Sequence, residues 1–140
     1  MRESGHAAIE LALAVGVLLL PVALVVTGFG PWSERRVAAD AIAAEAARAA
    51  VLELSIDAGV ATVASITGEQ GLSPELVRVG WCGAVPSLTP AGSCSLERGA
   101  VVSVTVELWT PLVDTPWGSI GGLWVSAEHS EPIDLYRSLG

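Results

Sequence analysis

Few side chains in this chain could do covalent chemistry, and their spacing shows which chemistries to set aside. Cys82 and Cys94 are the only thiols. They are not in a Cys-x-x-Cys arrangement, so redox catalysis is not expected, and two thiols alone cannot hold a structural zinc. The two histidines, His6 and His129, lie at opposite ends of the sequence, so no metal site and no cofactor are expected. The Gly-rich segment 118–122 (GSIGG) lacks the Lys and the strand–loop–helix setting of a phosphate loop. No Ser/His/Asp, Cys/His or paired-carboxylate constellation stands out, and an enzyme is not the expected reading. Fifteen acids against seven bases, all Arg, give a net charge of −8. Without clusters of basic residues, nucleic acid is excluded as a partner.

One carboxylate is out of place. Thirteen of the fifteen acids lie beyond residue 30, but Glu10 opens an uncharged run, LALAVGVLLLPVALVVTGF, over 11–29. As a helix that run would measure roughly 28 Å, the thickness of a bilayer core. Pro21 would cost about 3 kcal/mol inside a helix in water, and membrane helices tolerate it better. The run therefore reads as a membrane-spanning segment, over 6–30. A secretory signal peptide fits poorly, because the run is too long and MRESG is not a positive leader. A plain anchor fits the length but leaves Glu10 without a reason, since a carboxylate in a bilayer costs about 2.5–3.5 kcal/mol.

The sequence Gly5-His6-Ala7-Ala8-Ile9-Glu10, followed at once by the apolar run, resembles the cleavage junction of a type IV prepilin. That resemblance implies a leader over 1–5, cut by a prepilin peptidase between Gly5 and His6, with Glu10 the fifth residue of the mature chain. The new ammonium at His6 could then pair with a Glu10 carboxylate on a neighbouring subunit, since opposite charges in a low dielectric offset much of each other's desolvation. His6 departs from the family, which favours a large apolar residue there. The Ala-rich stretch 43–50 and the layout of the second half resemble TadE-like proteins, the minor, pseudopilin-type components of tight-adherence pili. The partners this implies are other pilin subunits, the prepilin peptidase, the pilus assembly machinery and membrane lipid.

The elements that must carry these residues follow from periodicity. Gly28 to Pro31 should kink the chain. From there to Gly68 it reads as one amphipathic helix (31–68), with a stripe of Ile42, Ala46, Ala49, Leu52, Ile56, Val60 and Val63, a bend at Gly59 and surface pairs Arg36–Asp40 and Glu45–Arg48. Beyond Gly68 the period changes to two. Val102, Val104, Val106 and Leu108 mark one strand, Leu123, Val125 and Ala127 a second, and Val77, Val79 and Trp81 a shorter first. Segment 110–122 reads as a long turn-rich loop. A short fourth strand over 133–136 would be confined to an edge by Pro132. The expected fold is α+β: a long N-terminal helix, membrane-spanning in its first part and kinked near Gly28–Pro31, packed on a 3–4-stranded antiparallel sheet over 69–140.

The loop between Cys82 and Cys94 is rich in Pro, Gly and Ser, and a disulfide there is favoured over two free thiols. A disulfide places this half outside the cytoplasm. The resulting topology is a single-pass protein of the cytoplasmic membrane, N-terminus inside, which can pass into an extracellular pilus. Five of the seven aromatics are Trp. Trp109, Trp117 and Trp124 either fill a small core or form an exposed surface for another subunit, and the sequence does not choose. The function these readings imply is a structural subunit of a pilus. The alternative is an uncleaved, membrane-anchored ectodomain that binds an envelope protein or ligand.

Overall fold

The computed structural model describes residues 4–115 and 117–136. The first helix, α1, runs from Ser4 to Glu53 without interruption. Pro21 and Pro31 both lie inside it, and the helix absorbs the loss of one hydrogen bond at each. Leu54, at φ 51°, ends it, and after Ser55 a second helix, α2, covers Ile56–Glu69. Gly71, at φ 66°, then reverses the chain, with the Leu72 amide donating back to the Thr67 carbonyl.

Three strands follow: β1 (Val77–Trp81), β2 (Val101–Thr115) and β3 (Gly118–Pro132). They form one antiparallel sheet in the order β1-β2-β3. The alternation expected from the sequence holds where the sheet meets α1. Val102, Val104, Val106 and Leu108 are buried, as are Val77, Val79 and Trp81. On β3, Val125 and Ala127 are buried, and Leu123, nearer the turn, is partly open. The helix side of the core is Ala39, Ile42, Ala43, Ala46, Ala47 and Ala50. Methyl groups at these positions let the helix backbone approach the Val-rich face closely.

Several expectations need correction. The chain has no break at Gly28–Pro31. Segment 6–30 is not an element of its own ended by a kink: the helix continues past it into the sheet-packed half. Among the described residues no helix is long and apolar enough to cross a membrane. The membrane-spanning part of the expected fold, and the single-pass placement in the cytoplasmic membrane that followed from it, are therefore not supported. The helix expected over 31–68 is two helices, because Leu54 takes the left-handed conformation. Its buried stripe is also rotated: Leu52 is 58% exposed and Ala49 half-buried, while Ala43, Ala47 and Ala50 face the core. Gly59 does not bend α2 but sits buried within it.

The sheet has three strands and not four. Ile133 is buried, but it is held by the 99–100 turn, its amide donating to the Ala100 carbonyl while its carbonyl accepts from Gly99. The supposed loop 110–122 is instead the outer part of a long hairpin, paired in register from Trp109↔Trp124 to Thr115↔Gly118. Pro111 is tolerated there because β1 pairs with β2 only as far as Leu108, so beyond it that edge of β2 carries no partner for a missing N–H.

A candidate assembly surface

The two halves of α1 differ in what covers them. Residues 39–51 are packed on the sheet and α2, whereas from Ile9 to Phe29 every described large apolar side chain is exposed. Val17, Leu18, Leu19 and Leu20 are consecutive and each at least 56% exposed. At 100° per residue, four successive positions sweep the whole circumference, so this half is bare on every side. Glu10 lies at its start, exposed and, among the described residues, without a hydrogen-bond or ion-pair partner. Gly5 and His6 fall within the helical span. Residues 1–3 of the expected leader, and Arg137 near the C-terminus, lie outside the described residues.

Where the bare half meets the domain, Phe29 packs on Trp32, ring centroids 5.5 Å apart. Beside them stands the base of the β2–β3 arm. Val25, Phe29 and Trp32 on the helix and Thr110, Pro111, Leu112 and Leu123 on the arm line an open apolar groove. In its wall Thr110 is 3% exposed, and among the described residues its Oγ1 has no hydrogen-bond partner. One turn further along α1, Arg36 Nη1 donates to the Ser126 carbonyl on β3 at 3.2 Å, fastening helix to sheet. Arg36 therefore holds β3, where a pair with Asp40 was expected.

The tryptophans divide into three settings. Trp81, 1% exposed, is the largest side chain of the core. Trp109 and Trp124 face each other across β2 and β3 on the other face of the sheet, half-buried and edge to face at 5.3 Å. The Arg78 guanidinium lies 3.9 Å above the Trp124 ring and 3.9 Å from Glu107. Trp117, at the hairpin tip, is 92% exposed. Trp109 and Trp124 thus form one half-open patch, and Trp117 stands apart from it.

Cys82 and Cys94 form a disulfide, with Cα atoms 5.4 Å apart. The loop it closes runs along β1: the Val79 amide donates to the Ser87 carbonyl and the Trp81 amide to that of Ala91. One sheet edge is covered in this way, a common protection against edge pairing. His129 faces Glu131 at 3.5 Å. Among the described residues no group of three or more His, Cys, Asp and Glu side chains could hold a metal ion.

The cysteine pair expected from the sequence is joined in the structure, whereas Thr110, Arg78 and the groove are not singled out by the sequence. Arg78 and Thr110 carry no local signal, because their neighbours come from distant parts of the chain. No family model, curated protein or solved structure matches this chain.

Proposed function

We propose that the chain is a structural and assembly subunit of a bacterial Tad or type IV-like pilus, a TadE-like minor pilin or pseudopilin. In this reading a prepilin peptidase cuts between Gly5 and His6, and the mature chain assembles with other pilin subunits through the bare half of α1. One observation carries it: a single helix packs its second half on a small domain and leaves its first half apolar on all sides. Such a surface needs neighbours on more than one side, as a fibre of subunits supplies. Glu10, alone on that surface, accepts the ammonium of a neighbour's His6 and favours one axial register.

Intact mass of the chain from cells with an active prepilin peptidase tests the cleavage. Loss of residues 1–5 is expected, and a chain still starting at Met1 overturns it. Glu10→Ala tests the register lock. The variant should keep the melting temperature of the domain and lose incorporation into fibres; incorporation at the wild-type level removes Glu10 from the mechanism.

A further inference from the structure

We infer that the free edge of β3 is a homodimer interface, at which two copies of this chain join β3 to β3 about a two-fold axis and continue the sheet across both. The contact lies in the domain and goes beyond the assembly reading above, which concerns the bare half of α1. The chain treats its sheet edges unequally. β1 is covered by the disulfide loop. The edge of β2 beyond Leu108 holds Pro111, which has no N–H to offer. β3 has neither device. The Cys82 amide donates to the Ser103 carbonyl, so odd-numbered residues of β2 face β1 and even-numbered ones face β3. By the register of that pair, Trp124, Ser126, Glu128 and Ser130 turn their N–H and C=O groups outward. Among the described residues one of these groups has a partner, the Ser126 carbonyl, which accepts from Arg36. Such a row is a template for a further strand.

Layer spacing and charge together select a second copy as the donor of that strand. α1 rests on β2 and β3 alike, and neighbouring strands stand about 4.8 Å apart. A two-fold set half a strand spacing beyond β3 therefore leaves the α1 axes of two copies about 10 Å apart, the contact distance of packed helices. One operation continues both the sheet and the helix layer, whereas an isolated strand would continue the sheet alone. Arg36, Val37 and Asp40 share one hollow with Ala127 and Glu128 beside β3, and Val37 is 70% exposed there. Asp40 has no partner among the described residues. A two-fold through Ala127 passes α1 between Arg36 and Asp40. It sets each Arg36 against the other copy's Asp40, giving two reciprocal ion pairs across antiparallel helices with Val37 between them. In the sheet it pairs Ser126 with Glu128, and Trp124 with Ser130, of the other copy. Arg36 has donors to spare beyond its bond to Ser126, and that carbonyl has a second lone pair for the other copy's Glu128 amide. The interface is isologous and closes at two copies, so it pairs subunits without propagating a fibre.

The test uses the full-length chain in a non-ionic detergent that covers the bare half, with dimerisation read by analytical ultracentrifugation. Hydrogen exchange should show the amides of Trp124, Ser126, Glu128 and Ser130 gaining protection as protein concentration rises. Glu128→Pro removes an N–H that the domain's own ladder does not use, so the melting temperature should stay while dimerisation weakens about tenfold or more. The Arg36→Asp chain and the Asp40→Arg chain should each dimerise more weakly than wild type and recover when mixed, because the mixed dimer restores both ion pairs. These two variants leave the strand unchanged and decide the matter if Glu128→Pro does not fold. A wild-type chain that stays monomeric, or exchange at those amides that is independent of concentration, overturns the dimer. So does wild-type dimerisation of a folded Glu128→Pro chain, or a mixture no tighter than either charge variant alone. None of these results touches cleavage after Gly5 or incorporation into fibres, so the assembly reading stands or falls by its own test.

Discussion

A Cβ placed on Gly59 would stand 2.3 Å from Cη2 of the Trp81 indole and 2.9 Å from the Ala46 carbonyl oxygen. Residue 59 is therefore the point where α2, α1 and β1 meet, and the meeting depends on the missing side chain. The indole cannot retreat, because it is 1% exposed and wedged among the core residues of α1 and β2.

Gly59→Ala should destabilise the domain in spite of the better helix propensity of Ala. Overpacking of a closed core costs about 1–3 kcal/mol, against a propensity gain of about 1 kcal/mol or less. The expected outcome is a lower melting temperature, by roughly 4–8 °C for each net kcal/mol lost. Thermal unfolding followed by circular dichroism checks it, and an unchanged or raised midpoint would mean that Trp81 can shift.

Gly122→Ala probes the open face of the sheet. A Cβ there would stand 2.3 Å from Cζ2 of Trp109 and 2.9 Å from the Thr110 carbonyl oxygen, as tight a pair of contacts as at Gly59. Trp109 is half-exposed on the open face of the sheet and has room to turn, but the strand backbone at Thr110 does not move with it. The cost should therefore be about 1–3 kcal/mol. Turning Trp109 also disturbs its edge-to-face packing on Trp124. The near-ultraviolet circular dichroism should change together with a fall in melting temperature. An unchanged melting temperature would show that the strand backbone yields without cost.

Much of this was legible in the sequence where side-chain size marks a face. The Val102–Leu108 alternation and the Val77–Trp81 strand are as expected, because a large buried residue alternates with a small or polar one. The face of α1 was not legible, because alanines occupy most positions around 38–50 and methyl groups define no direction. Leu52, the largest residue nearby, pointed the reading the wrong way. The outer hairpin was misread for another reason: Pro and Gly signalled a loop, although Pro111 lies where β2 has outgrown β1. Glu10 stands out in the sequence because it breaks a local pattern. Arg78 over Trp124, 46 positions away in the chain, breaks none.

Replacing the disulfide should loosen one edge of the sheet as well as the loop. The bond joins residues separated by 12 positions, and closing a loop of that size contributes about 3 kcal/mol if the effect is entropic. In the doubly substituted Cys82→Ser/Cys94→Ser chain, amide exchange should accelerate first at Val79 and Trp81, whose N–H groups donate to Ser87 and Ala91. Urea unfolding gives the loss of stability and hydrogen exchange gives its location. Protection at these two amides equal to that of wild type would show that the loop holds β1 without the bond.

Thr110→Val should raise the stability of the domain. Thr110 faces the core side of β2, 3% exposed, and among the described residues its hydroxyl has no partner. An unsatisfied buried hydroxyl carries a desolvation penalty that an apolar group of the same shape does not. Valine keeps the β-branched shape suited to a strand, so the exchange removes the penalty and adds little strain. The gain should be about 1 kcal/mol, seen as a higher urea midpoint with an unchanged slope. Thr110→Ser is the opposite probe: it keeps the orphan hydroxyl, removes a buried methyl and should cost about 1 kcal/mol. A fall in stability for Thr110→Val would show that the hydroxyl is satisfied within the chain.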